Sequence, residues 1–157
     1  MEMQMPQPGA EHAQLESLAG KWVGEEIMHP GPMGPGGKST GFTDARISAD
    51  KFYLFADYRQ EVGGTPSFFG HGVIGYDTFG KQYLWYWVDS MGMPPPTATA
   101  GQFRGTDFVF ESDSPHGKMR YVYSLKGANR YTFKIDVSQD NGKSWEPFME
   151  GDYKRVK

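Results

Sequence analysis

Two neighbouring runs near the C-terminus alternate apolar and polar residues with a period of two. In the first, Met119, Tyr121, Tyr123 and Leu125 share one face against Arg120 and Ser124; in the second, Tyr131, Phe133, Ile135 and Val137 oppose Thr132, Lys134 and Asp136. Successive side chains point to opposite faces only in an extended chain, so both runs are strands with one buried face. The same reasoning places strands near 21–29, 38–48, 52–61, 67–76, 81–88, 97–103, 107–111, 118–125, 130–137 and 145–154. Ten short strands with brief connections cannot cover the second face or the edges of an open sheet. Closure into an up-and-down antiparallel barrel removes both problems. The 21 Gly, 11 Pro and 15% aromatic residues fit this all-β reading, since glycine and proline build tight turns and aromatics favour pleated, half-buried surfaces.

One segment departs from the pattern. "AEHAQLESLAG" carries acidic residues early, Leu15 and Leu18 three apart and Gly20 as a C-terminal cap, which predicts one short helix before the first strand. Residues 1–10 are expected to form a flexible tail and residues 11–157 a single barrel domain. Net charge is -3 and the 16 Lys and Arg are scattered singly, so the basic footprint of a nucleic-acid binder is missing. The longest apolar run, "YLWYWV" at 83–88, is far below the ~20 residues of a membrane helix. The N-terminus lacks the basic and apolar regions of a signal peptide, and a cytoplasmic location is the default expectation. With no cysteine, thiolate chemistry and Cys-ligated metals are excluded.

"SQDNGKSW", residues 138–145, matches the S-x-D-x-G-x-[ST]-W Asp-box found repeatedly in sialidase propellers. A propeller needs several copies and this chain has one. Between two strands, Asp140-Asn141-Gly142 supplies a turn, the Asp140 carboxylate accepts backbone N–H groups, and Trp145 fixes the returning strand. The box is therefore read as a hairpin rather than a sugar site.

"LAGKWVGE" at 18–25, a helix end followed by Gly20-x-Trp22 at the start of a strand, resembles the opening of the lipocalin and fatty-acid-binding calycin barrels. "GYDTFGKQYLWYWVDSMG" and the terminal "SQDNGKSWEPFMEGDYKRV" are similar to the bacterial domain-of-unknown-function 1579 family over about residues 11–156. The resemblance implies a calycin-like barrel with an internal cavity and no assigned reaction. It also implies that Trp22 lies across the closed end of the barrel with Arg155 over its ring, a cation–π contact.

Candidate site residues follow from the barrel. Tyr58, Trp85, Trp87, Tyr121, Tyr123 and Met149 are expected to line the interior as a ligand-binding wall. Arg46 follows Phe42 and Asp44 at period two; turned inward it would hold a ligand carboxylate or phosphate, turned outward it pairs with Asp44, and the spacing leaves both open. His71, flanked by glycines in "FFGHGVIGY", is either a ligand contact or an ordinary strand histidine. Haem-binding nitrobindins are also calycin-like barrels with a histidine axial ligand, which makes haem a minor alternative at His71; otherwise no cofactor and no metal are expected, since His12, His29 and His116 form no ligand spacing. Asp89 ends the aromatic strand as a mouth acid or a turn cap. Strand 81–88 is apolar on both faces, so its outside needs cover from a homodimer partner docked through the strand containing Trp85 and Trp87, or from the loop "HPGPMGPGGK".

Three functions compete on this reading. The first is a carrier of a small apolar or amphipathic ligand. The second is an isomerase- or hydrolase-type enzyme using His71 or Asp89, although no catalytic signature motif is present. The third is an interaction barrel with a filled core.

Overall fold

The computed structural model describes residues 1–32, 34–115 and 117–157; Met33, and His116 with the reading attached to it, lie outside them. Ten strands form one closed sheet: β1 (Gly20–Met28), β2 (Gly37–Ile47), β3 (Tyr53–Val62), β4 (Thr65–Asp77), β5 (Gln82–Asp89), β6 (Thr99–Arg104), β7 (Asp107–Ser114), β8 (Gly117–Leu125), β9 (Arg130–Ser138) and β10 (Glu146–Arg155). Each pairs antiparallel with its sequence neighbours, and β1 with β10 closes the ring. The all-β up-and-down barrel is thus the observed architecture, and no edge strand is left to template aggregation. Among the described residues no helix is long and apolar enough to cross a membrane.

Turn chemistry sets the registers. Gly63 and Gly64 both take positive φ, 58° and 81°, as a two-residue hairpin between Val62 and Thr65 requires. In the Asp-box, the Asp140 Oδ1 accepts from the Ser138 hydroxyl and the Ser144 amide, both at 2.8 Å, and Oδ2 accepts from the Ser144 hydroxyl at 2.5 Å. These bonds, the Ser144 hydroxyl foremost, hold the Asp140 carboxyl at a pKa of about 2. Trp145 is covered by the Arg120 guanidinium at 4.1 Å. The side chains of Ser138, Asp140 and Ser144 are all engaged within the hairpin itself.

The predicted helix is split. Residues Ala10–Ala13 form a single α-turn (α1), and Gln14–Leu18 tighten into a 3₁₀ segment. Gly20 opens β1 at φ 126°, and a side chain there would collide with the Arg155 guanidinium. Leu15 and Leu18 are buried against the lower barrel, and the Tyr83 hydroxyl donates to the Glu11 carbonyl at 2.6 Å. Burial raises the Tyr83 phenol to about 12. Trp22 is 2% exposed, donates from Nε1 to the Leu18 carbonyl at 3.0 Å, and meets Tyr131 edge-on at 4.7 Å. The Arg155 guanidinium stacks 4.3 Å from the Trp22 ring while donating to the carbonyls of Ala19 and Ala128. This end of the barrel is therefore plugged, with Leu54, Ile74, Tyr83 and Phe108 completing the core.

Candidate functional site

Alternation assigns every strand residue to the inside or the outside. The six residues expected to line the interior face it: Tyr58, Trp85, Trp87, Tyr121, Tyr123 and Met149. Trp85 sits at the centre of the wall, its ring 5.7 Å from Trp87, 5.2 Å from Tyr121 and 6.2 Å from Tyr123. Tyr58 lies 6.2 Å from Trp87. The glycines flanking His71 point inward beneath these rings: a side chain at Gly70 would collide with Trp87, and one at Gly72 would lie 2.9 Å from the Trp85 indole nitrogen. The small residues make room for tryptophans rather than for a ligand at His71.

Arg46 and His71 are on the outer wall, which decides the alternatives left open for both against a ligand contact in the interior. Arg46 is exposed and lies over the Phe55 ring at 5.1 Å. His71 Nδ1 is 2.8 Å from Asp57 Oδ1, with both side chains more than half exposed. Neither reaches the interior, so Arg46 holds no internal anion and His71 is not placed to ligate an internal haem. The physical reason why residue types left the face of Arg46 open is visible beside it. Phe42, on the same outer face, is covered by the Arg59 guanidinium at 4.3 Å, so an apolar residue there does not mark the core.

The interior has a polar centre that the sequence reading missed. Glu26 is 1% exposed and accepts from the Ser39 hydroxyl at 3.0 Å, from the Tyr58 hydroxyl at 2.9 and 2.8 Å through its two oxygens, from the Gln60 amide at 3.4 Å, and from the Tyr153 hydroxyl. Gly41 leaves the space that the carboxylate fills. Burial, then the neighbouring Glu26, pushes the Tyr58 and Tyr153 phenols well above their usual range, so both keep their protons and act as donors. A signal was available: Trp22, Gly24, Glu26 and Met28 share one face of β1, so an inward Trp22 carries Glu26 inward with it.

Above this centre the wall is aromatic and partly exposed. Tyr58, Trp87, Tyr121, Tyr123 and Phe133 all point inward yet remain only half-buried, in contrast to the sealed Trp22 end. Asp89 is the turn cap of its two readings: its Oδ1 accepts from the Met91 amide at 2.9 Å, and its Oδ2 accepts from the Trp87 indole at 2.8 Å. The β5–β6 ladder has only three residue pairs, ending at Trp85 with Thr99. Two concavities also mark the outer wall. One of about 770 Å³ crosses β1, β2, β9 and β10; outward charged side chains such as Glu25, Lys38, Lys134 and Asp152 line it together with Glu26, Ser39 and Phe133. A smaller one of about 260 Å³ lies on β2 to β5 around Phe55, Val73 and Tyr86. The interior is the better site, because it alone combines an aromatic wall with a few fixed polar groups. Among the described residues no cluster of His, Asp and Glu is arranged to hold a metal ion.

A plugged, ten-stranded up-and-down barrel with an aromatic interior is a calycin-like architecture. The sequence matches the family described as proteins of unknown function, DUF1579, over residues 7–155, and the chain belongs to that family. Among solved structures it is similar to Rv2717c from M. tuberculosis, with a TM-score of 0.70 at 11% identity over 95% of this chain and 99% of that one. It is likewise similar to the S-type phycobiliprotein lyase CPES from Guillardia theta, with a TM-score of 0.67 at 10% identity over 95% and 94% of the two chains. At these identities the likeness is one of fold alone. No curated protein matches the sequence.

Proposed function

We propose that the upper chamber of the barrel holds one small amphipathic molecule, its apolar body against Trp85, Trp87, Tyr121 and Phe133 and its polar end towards the Glu26 centre. The observation that carries this reading is the water-accessible aromatic wall above a fixed, buried carboxylate. A barrel filled only for stability would bury those rings as completely as it buries Trp22, Phe108 and Phe110. The enzyme reading draws less support: His71 lies outside, and both oxygens of Asp89 are engaged. That a barrel of similar shape belongs to a phycobiliprotein lyase is compatible with an occupied interior, and carries no residue role across at 10% identity.

The chamber also favours one polarity of ligand. Its inward charged residues above the plug are Glu26 and Asp89, while the inward Arg155 is committed to Trp22 and two carbonyls. A neutral donor or a cation therefore suits it better than a carboxylate, because like charges brought together in a low dielectric repel. Titrating the protein with decylamine, decanol and decanoate, followed by calorimetry and tryptophan emission, tests this. Saturable binding of the amine or the alcohol, at least about tenfold tighter than the acid, is expected, with Glu26→Gln narrowing the difference. Decanoate binding tightest would refute the polarity. No saturable binding by any of the three would remove the ligand reading.

A further inference from the structure

Three tryptophans face the interior, and the protein supplies an acceptor to two of them. Trp22 donates to the Leu18 carbonyl at 3.0 Å and Trp87 to Asp89 at 2.8 Å. Trp85 is buried to 8% exposure, yet among the described residues its indole N–H has no acceptor. Every described side-chain polar atom that is closed off from solvent has a partner, so the Trp85 nitrogen opens onto accessible space. Small residues flank it instead of acceptors: a side chain at Gly72 would lie 2.9 Å from Nε1, and the residue paired with Gly72 on β3 is Ala56. The Tyr123 ring stands 6.2 Å from Trp85, and among the described residues its hydroxyl is also without a partner. Burial raises the pKa of this phenol, so it too keeps its hydrogen and donates. Glu26 cannot serve either group, because Ser39, Tyr58, Gln60 and Tyr153 already occupy its two oxygens.

A donor held in a largely buried wall without an acceptor is costly to the fold and calls for a reason. Resting on the reading that the interior holds an amphipathic molecule, we infer that this molecule carries a neutral carbonyl oxygen, that of a ketone, ester or amide, which accepts from Trp85 Nε1 and the Tyr123 hydroxyl. A carbonyl oxygen has two lone pairs and no hydrogen of its own, which matches two donors on one wall. It is neutral because Glu26 and Asp89 face the same interior and repel an anion. Trp85 and Tyr123 are then the residues that distinguish a carbonyl compound from a plain hydrocarbon of the same shape.

Indole N–H resonances of the intact protein, with decan-2-one and decane as probes, test the assignment. The chain has four tryptophans, and loss of one resonance in Trp85→Phe identifies the peak. In the free protein the Trp85 proton should exchange with water faster than that of Trp22. Decan-2-one should move it downfield saturably, whereas decane should bind and leave it in place. Calorimetry should show decan-2-one affinity about fivefold lower in Trp85→Phe, and again in Tyr123→Phe, than the change that decane shows in the same variant. Taking the ratio of wild type to variant for each probe cancels their different solubilities in water. If Trp85→Phe fails to fold, Tyr123→Phe and the wild-type resonances carry the test. A Trp85 proton as protected as that of Trp22 in the free protein overturns the inference. So does saturable decan-2-one binding that leaves the resonance unmoved, or equal effects of the variants on both probes. Saturable decylamine binding with none of decan-2-one overturns this inference alone, whereas no saturable binding of any probe removes the ligand reading together with it.

Discussion

Raising the pH should unfold this barrel steeply just above the ordinary phenol pKa. Tyr58, Tyr123, Tyr131 and Tyr153 all face the interior, and burial foremost raises each of their pKa values. A group whose folded pKa lies above its unfolded value contributes stability that is complete below the unfolded value and is lost as pH climbs beyond it. For phenols the unfolded value is 10.0, so the loss begins there. At about pH 11 the unfolded chain gains roughly 1.4 kcal/mol for each phenol that the folded barrel keeps neutral, and the two buried ones, Tyr131 and Tyr153, give about 3 kcal/mol, with a smaller share from the half-buried Tyr58 and Tyr123. That is a large part of the stability of an ordinary domain. Tyrosinate absorbance and far-ultraviolet circular dichroism, recorded together along an alkaline titration, should show the inner phenols ionising only as the strand signal collapses. A single reversible ionisation of all nine tyrosines centred near pH 10, with the strand signal intact, would refute the sealed-phenol reasoning.

Trp22→Ala removes a buried indole, its bond to Leu18 and the surface on which Arg155 stacks; denaturant melts should show a loss of about 3–5 kcal/mol, and a loss below about 1 kcal/mol would mean that Trp22 does not plug the barrel. Asp140→Ala should lower the thermal midpoint while leaving decylamine affinity unchanged, because all its contacts are within the hairpin. Since the Asp140 carboxyl is held down to about 2, its contribution to wild-type stability is present above the usual carboxylate pKa and disappears as pH falls towards 2. The wild-type and Asp140→Ala melting curves should therefore converge in acid.

The strands were legible because alternation and turn residues agree along most of the chain. Tyr121, Tyr123, Tyr131 and Phe133 announce a buried face without help from tertiary structure, and the Asp-box supplies its own turn bonds. Arg46 was not legible because its face depends on how the β2–β3 turn closes. There Asp50 accepts from the Ser48 hydroxyl and the Phe52 amide, fixing a register that residue types alone leave open. His71 stayed open for a different reason: its glycine neighbours answer to Trp85 and Trp87 on the next strand, a cross-strand fit with no local signature. Glu26 stood in plain view as one of two adjacent glutamates, yet a charged residue in a strand reads as outward unless the parity from Trp22 is followed. Its partners Tyr58 and Tyr153 lie 32 and 127 residues away, and only closure of the ring brings them to it.

The short β5–β6 ladder gives the barrel the mechanics of a split ring. Seven to ten residue pairs bind every other seam except β6–β7, which has five, whereas three pairs hold this one. Hoop tension from thermal motion concentrates where the fewest bonds resist it, so parting begins between Trp85 and Thr99 while the plugged end stays shut. A molecule bound as proposed above would then have a side exit that does not require unfolding. Its residence time would be set by the breathing of three backbone pairs rather than by the stability of the whole ring.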